Sequence, residues 1–450
     1  MKAPAWHQCV LVLSDEKDLI TQVLSRFSAE SQLFNAATPK EAIELLEKNK
    51  VDVLIIDQKA THLEGADKGS EDAVSYLELV QYAKLMNANV MVTILINKML
   101  NAEAKFAQKC GATLVMDRKS VSPDPIVYLT RVLRKRTFRT VLWRDMPIGF
   151  ISPVTLYHYV PHSDKYLPFL IEGDAFDSNK MSKLMIGNVR HLFTLGKDFP
   201  TFLQGVGDSS RTEKLHDARE KFKGLLIEIF DLGSDGILSV GLHLQVVAKE
   251  IIETLKQLVD SYENTQECLD ELPYPRWSAM AHVMNGAIYS LVFSRICKID
   301  QREEVAMAAL VHNLGLAKIN QEVLRKKEKD FSPEEKKEYV RHVAESVDLL
   351  KTKLFPLTPL MESILMNHHE CLDGSGFPLG RSGLAIPCEA TFVSLLSSFD
   401  YFHSVRPGET TRSPKAAWDD FKKYHGGMTS MNAKFHSKIL EPLNQFFEQS

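Results

Sequence analysis

Between residues 8 and 125, short apolar runs alternate with stretches in which apolar side chains recur every three or four positions. Cys9-Val10-Leu11-Val12-Leu13 ends in Ser14-Asp15-Glu16 and leads into a helical stretch to about Ala29. A second helix, Lys40–Lys48, precedes the strand Val51–Ile56, which ends at Asp57, and further strands are predicted at Val90–Ile96 and Thr113–Met116. Short buried strands between amphipathic helices predict an α/β doubly wound, parallel sheet covered on both faces. Chemistry in such sheets gathers at the carboxyl ends of the strands, where Asp15, Glu16 and Asp57 fall. From 140 to 205 the pattern changes. Pro147, Pro153, Pro161 and Pro168 interrupt short apolar and aromatic segments, which predicts a small β-rich α+β module. Residues 206–272 read as helix, with Leu225, Ile229, Leu232, Val246, Ile251, Leu255 and Leu258 at helical spacing, a stripe that packs internally or serves as a dimerising signalling helix. From 273 to 450 the pattern is helical throughout.

The chain has 450 residues, too many for one ordinary core. Hydrophobic residues at 44% and charged residues at 25% describe a globular protein. A formal charge of −4 gives no electrostatic case for binding DNA. The six cysteines form no C-x-x-C pair, which fits reduced thiols better than a disulfide framework. No signal-peptide pattern and no membrane-spanning apolar run are read, so the expected compartment is the cytoplasm.

The first region resembles a response-regulator receiver domain. In that family an acidic pair after the first strand binds Mg²⁺, and an aspartate ending the third strand accepts a phosphoryl group. Asp15 and Glu16 match part of the pair, with Ser14 where the first acid stands, and Asp57 matches the acceptor. The family's lysine is Lys119, although alignment by position puts Arg118 there. The hydroxyl position falls at Ile96 or Asn97, and the loop Gln58–Glu71 is unusually long. Two readings stay open, a phosphorylatable receiver and a receiver-shaped interaction domain.

The richest chemistry lies in the helical third. His282 sits in Ala281–Ile296, His312 and Asn313 in Val305–Leu316, His342 in Pro333–Lys351, and His368 and His369 end Leu360–His369. The steps are 30, 30 and 26 residues, one helix plus one loop each time, so a helical bundle can aim these imidazoles at one interior point. Neutral imidazole is the commonest metal ligand. Asp373-Gly374-Ser375-Gly376-Phe377-Pro378 then reads as a tight turn whose glycines admit close backbone approach.

On these residues, 273–450 resemble the HD-GYP domain, the bacterial branch of the HD superfamily that hydrolyses cyclic-di-GMP. His368-His369-Glu370 precedes the glycine turn, and the signature Gly-Tyr-Pro reads Gly-Phe-Pro. His282, His342, Phe399-Asp400 and Arg406-Pro407 support the match. The resemblance implies a bi- or trinuclear iron or manganese centre bridged by hydroxide. It also shows departures. The bridging aspartate of the His-Asp pair is Asn313, the later aspartate falls at Ser397, and the glutamate of trinuclear members is Ser278. The family's lysine is Leu316, with Lys318 on another helix face. An amide cannot bridge two dications as a carboxylate does. The expected centre is therefore one transition metal (Fe, Zn, Ni or Mn) on the five histidines, or none.

The sequence thus predicts a degenerate HD-GYP signalling protein that binds a cyclic dinucleotide or a protein partner with little or no hydrolysis. Asp373, Gly374, Gly376, Phe377, Pro378 and Arg406 are the candidate contacts, because arginine and an aromatic ring suit phosphate and guanine. The alternatives are an active phosphodiesterase with a reduced metal centre, and a homodimeric scaffold that binds neither metal nor nucleotide.

Overall fold

The computed structural model describes residues 9–25, 27, 31–61, 75–87, 90–96, 101–118, 138–160, 165–187, 189, 191–195, 198–207, 210–230, 237–326, 328–405, 409 and 411–449. Its first part runs β1 (Cys9–Leu13), α1 (Lys17–Leu24), β2 (Gln32–Ala36), α2 (Pro39–Lys48), β3 (Val53–Asp57), α3 (Tyr76–Met86), β4 (Met91–Ile96), α4 (Asn101–Lys109) and β5 (Leu114–Asp117). The strands form one parallel sheet in the order β2-β1-β3-β4-β5. All residues of β1 and β3 are buried, as expected of strands covered on both sides. Within those apolar runs the side chains alternate. Leu11, Leu13, Leu54 and Ile56 join α2 and α3 in one core. Val10, Val12, Val53 and Ile55 face the other way, into a core shared with α1 and the long helices further on. The strand β2 is absent from the pattern reading because it is an edge strand with mixed polarity, and most of its side chains are exposed.

The second part is a four-stranded antiparallel sheet in the order β6-β11-β8-β9, with β6 (Phe138–Val141), β8 (Leu156–Val160), β9 (Lys165–Leu170) and β11 (Leu192–Leu195). A two-stranded ribbon pairs β7 (Phe150–Ile151) with β10 (Ala175–Phe176). Helices α5 (Ser178–Ile186) and α6 (Phe199–Val206) complete a separate core around Trp143, Leu156, Phe176 and Phe202.

Two long helices follow, α7 (Arg211–Phe230) and α8 (Ile237–Asp260), packed against each other. Leu225, Ile229, Ile251, Leu255 and Leu258 are buried, so much of the apolar stripe is spent inside the chain. Val246 is exposed, and Leu232 lies outside the described residues. α7 also meets β5 and shares its core with the parallel sheet. After α9 (Thr265–Glu271) comes α10 (Ala279–Cys297), buried around its circumference and packed on α8, α11 (Arg302–Val311), α16 (Cys388–His403) and α19 (Ser437–Gln449). Between them run α12 (Gln321–Arg325), α13 (Pro333–Val340), α14 (His342–Thr352) and α15 (Pro359–Asn367), with α17 (Pro414–Tyr424) and α18 (Met428–Lys434) preceding α19. Among the described residues no helix is long and apolar enough to cross a membrane.

Two predicted helices are interrupted. Val305–Leu316 ends at Val311 and resumes as the 3-10 turn Leu314–Lys318, while Pro333–Lys351 breaks at Arg341. At the second break the His342 ring N–H occupies the Tyr339 carbonyl, which a continuous helix would give to the backbone N–H of Val343.

His425, just past α17, packs edge-on against Phe421 at 4.6 Å, and its Nε2 is buried without a hydrogen-bond partner. Burial, then Lys434, pushes its pKa from 6.5 down to about 4. Between these values only the unfolded chain takes up the proton. The stabilisation is therefore complete above about pH 6.5 and is lost as pH falls towards 4, at up to about 1.4 kcal/mol per pH unit. Unfolding free energies from urea titration at pH 7 and pH 5 should differ less in His425→Gln than in the parent chain, by about 1–2 kcal/mol. Equal losses in the two chains would place the acid sensitivity elsewhere.

Candidate metal centre

The five histidines come from four separate helix ends and converge. His312 is the residue after α11, His342 opens α14, His368 and His369 follow α15, and His282 lies in the first turn of α10. Ring centroids are separated by 5.6 Å for His282–His312 and 5.0 Å for His312–His368. They are 5.8 Å apart for His342–His368, 5.0 Å for His342–His369 and 4.2 Å for His368–His369. His312, His342 and His368 are almost fully buried, and His369 is partly exposed.

One local device orients three of these rings. The Nδ1–H of His312 donates to Ala309 O at 2.7 Å, that of His342 to Tyr339 O at 2.6 Å, and that of His368 to Leu365 O at 2.7 Å. Each carbonyl lies three residues earlier, at or near the end of a helix, where carbonyl groups lack intrahelical partners. With Nδ1 protonated, Nε2 carries a lone pair directed inward. The Nε2 atoms of His312 and His368 are buried and have no hydrogen-bond partner, and those of His342 and His369 face each other at 3.2 Å. Burial drives the pKa of His342 down to about 4. Burial, with neighbouring His342, takes His368 to about 3. Burial and the adjacent imidazoles also hold His312 and His369 well below 6.5. All four rings are neutral near pH 7. His342, His368 and His369 each offer a nitrogen within 4.8 Å of the other two, a donor set suited to a single transition-metal ion.

His282 is held differently. Its Nδ1–H donates to Asp400 Oδ2 at 2.8 Å, and its Nε2 accepts from the Ser397 hydroxyl at 3.1 Å. The buried Asp400 also accepts from the Asn285 amide at 2.8 Å, the Ser404 hydroxyl at 2.8 Å and the Tyr289 hydroxyl at 3.3 Å. This carboxylate is saturated by side-chain donors and positions His282 rather than facing the other imidazoles. The sequence reading used Asp400 only as a landmark and missed its partners. Their spacing held a signal, since Asn285 and Tyr289 follow His282 by three and seven residues on one helix face.

The other acids nearby are also engaged. Glu370, fully buried, accepts the backbone N–H groups of Leu379 at 2.7 Å and Arg381 at 2.9 Å, which ties down the glycine turn. Asp373 accepts from the N–H and hydroxyl of Ser375 at 2.9 and 2.6 Å. Within the turn, Phe377 stacks on His369 with centroids 4.4 Å apart and donates its N–H to His369 O at 3.1 Å. Gly374 has φ +77°, and a Cβ at Gly376 would meet His369 O at 2.4 Å, so both glycines are required by the backbone path. Pro378 closes this turn. Arg406 lies outside the described residues.

The three positions at which the resemblance expects carboxylates have local roles or surroundings of their own. Ser278 caps α10, accepting from Ala281 N at 3.0 Å. Ser397 supplies the hydroxyl on His282. Asn313 lines a crevice with Phe222, Leu226, Met280 and Leu310. Lys318 pairs with Glu345 at 2.8 Å.

In the parallel sheet, Asp57 is buried at the end of β3. It accepts from Ser14 Oγ at 2.9 Å and Lys59 N at 3.2 Å, and it pairs with Arg118 at 3.0 Å. Arg118 also grips Glu16, while Asp15 is exposed. Burial raises the Asp57 pKa, an effect that hydrogen bonds from Ser14 and Lys59 oppose. The guanidinium thus bridges Glu16 and Asp57. Among the described residues no group of three acidic side chains converges there. Asn97 and Lys119 lie outside the described residues.

Residues 266–428 match the family model described as HD domain. The chain is 29% identical over 127 residues to a cyclic di-GMP phosphodiesterase of Thermotoga maritima, covering 28% of this chain and 34% of that protein. It is 25% identical over 226 residues to 3'3'-cGAMP-specific phosphodiesterase 2 of Vibrio cholerae, covering 50% and 40%. It is 36% identical over 103 residues to the cyclic di-GMP phosphodiesterase response regulator RpfG of Xanthomonas campestris pv. campestris, covering 23% and 27%. The chain thus spans between about a quarter and two fifths of the length of the curated relatives it matches.

A Cβ at Gly315 would lie 2.1 Å from His342 O and 2.6 Å from Ser346 N. Gly315→Ala should therefore part α14 from the 3-10 turn and lower stability by about 3 kcal/mol in urea titration. An unchanged midpoint would deny this contact. In the sheet, acetyl phosphate with Mg²⁺ is expected to leave Asp57 unlabelled by intact mass, because Arg118 already neutralises it. An adduct of about 80 Da on Asp57, the mass of one phosphoryl group, would show that the pair opens.

Proposed function

We propose that this chain is a signalling protein whose HD domain binds a cyclic dinucleotide around a single metal ion and hydrolyses it slowly or not at all. The carrying observation is the contrast between the two halves of the histidine cluster. His342, His368 and His369 present converging ring nitrogens with, among the described residues, no hydrogen-bond partner at those nitrogens other than each other. His282 is already satisfied on both nitrogens.

An ion held by His342, His368 and His369 would act as a Lewis acid that docks a phosphate oxygen. The residues present fit one ion and do not fit a closely bridged pair. Unit charges about 4 Å apart repel by about 4 kcal/mol at an effective dielectric near 20, and dications repel by more. The carboxylates that would offset this are Asn313 and Ser397 here, and Glu370, Asp373 and Asp400 are committed to other donors. Phe377, stacked on His369 at the rim, offers an aromatic face beside the docked phosphate. The curated relatives carry names that specify cyclic di-GMP or 3'3'-cGAMP, which supports the ligand class. The parallel sheet, with Asp57 paired to Arg118, is read as an interaction domain.

Elemental analysis of protein loaded with Mn²⁺, Fe²⁺, Ni²⁺ or Zn²⁺ should give about one ion per chain, and none in His368→Ala. Calorimetric titration should detect cyclic-di-GMP, while product analysis over hours should show little linear dinucleotide. Asn313→Asp combined with Ser397→Asp should raise the metal content above one. Two ions per parent chain together with turnover would overturn the proposal.

A further inference from the structure

Away from the histidines, the junction between the antiparallel sheet and α10 buries a group of cations. Arg219 and Lys223, one turn apart on α7, and Arg139 on β6 are 9%, 7% and 8% exposed. Lys223 pairs with Glu220 on the same helix. Arg219 lies over the ring of Tyr274, 5.3 Å from its centroid, and its Nε is buried with no hydrogen-bond partner. With Tyr274, Ser278, Met280 and Ala281 it lines a narrow crevice that opens to solvent.

The cations act on each other. Burial, opposed by the Glu220 hydrogen bond and deepened by Arg219, depresses the Lys223 ammonium to about 8. Burial and then Arg219 lower Arg139 as well. His216, beside them, is pushed by burial to about 4 and adds no charge near neutrality. The Glu220 carboxylate pairs with Lys223 and acts on Arg139, while the buried Nε of Arg219 has no acceptor, a cost that an anion there would relieve. The ring of Tyr274 offsets only part of that cost.

We infer that this crevice binds a phosphate group through Arg219, with Lys223 and Arg139 supplying further positive charge. Phosphate is favoured over a simple carboxylate because it brings a charge near −2 and three acceptor oxygens to a site of clustered donors. The position gives such binding a consequence. Ser278 caps the helix that carries His282, and Met280 also lines the neighbouring crevice with Asn313. A phosphate here fastens β6 and α7 to the first turn of α10. The inference does not depend on the histidine cluster holding a metal.

The test is calorimetric titration of the full chain, in chelator and at constant ionic strength, with inorganic phosphate, glycerol 3-phosphate and acetate. Saturable binding of phosphate, and not of acetate, is expected, and it should persist in His368→Ala. Tighter binding of the ester would identify a phosphorylated small molecule as the ligand, and equal binding would identify free phosphate. Arg219→Gln should weaken binding at least tenfold. Ser278→Asp keeps a capping side chain and places a carboxylate at the crevice, so it should abolish phosphate binding while raising the melting temperature in phosphate-free buffer. Absence of saturable binding, or binding unchanged in both variants, overturns the inference.

Discussion

Three hydrogen bonds, each from a histidine Nδ1–H to the carbonyl three residues earlier, set the character of the C-terminal domain. They use carbonyls at helix ends that would otherwise need water, and they fix the tautomer. Once Nδ1 is committed, Nε2 must be an acceptor, and the bundle brings several such acceptors together with few donors. Depressed pKa values follow directly, because protonating one ring would place a buried cation beside other imidazoles. The same arrangement breaks two helices, since the carbonyl given to the ring is withheld from the backbone ladder.

The centre therefore divides along its chemistry. On one side lie neutral donors with unfilled valence. On the other, His282, Ser397 and Asp400 form a closed chain of hydrogen bonds. The Ser397 hydroxyl completes the local hydrogen bonding of His282. Asp400 is the group that makes this side self-sufficient, because its donors come from α10 and from its own helix.

Parts of this were legible in the sequence. The apolar runs around Val10 and Ile55 announce a parallel sheet, since only strands covered on both faces are so uniformly apolar. The double histidine before Gly374 and Gly376 marks the histidine cluster, because few packing arrangements demand both. Other features depend on tertiary partners. Neither the breaks at His312 and His342 nor the saturation of Asp400 has a one-dimensional signature, as each rests on a hydrogen bond that replaces a ladder bond or crosses between helices. Alignment by position puts Arg118 where the receiver family has its lysine, but that its guanidinium meets Asp57 depends on how β5 ends. Residues 206–272, read from the sequence as a helical stripe, carry α7 and α8, which lie within the same buried cluster as the sheet and the bundle.

That burial changes how the parts can communicate. A free linker transmits by changing its length or partner. A helix packed on β5, on α8 and on the crevice at the head of α10 transmits by shifting as a rigid body, because its side chains interlock with close-packed neighbours. Asp57 and Arg118 lie at the ends of β3 and β5, and α7 touches β5 directly. A change in that ion pair therefore has a short mechanical route to α10, the helix that carries His282. The two halves of the histidine cluster would feel it unequally. Hydrogen bonds from Asp400 and Ser397 on α16 hold His282, whereas the other rings are tied to α11, α13 and α15. Movement of α10 would alter the spacing between halves while leaving the His342–His368–His369 donor set intact.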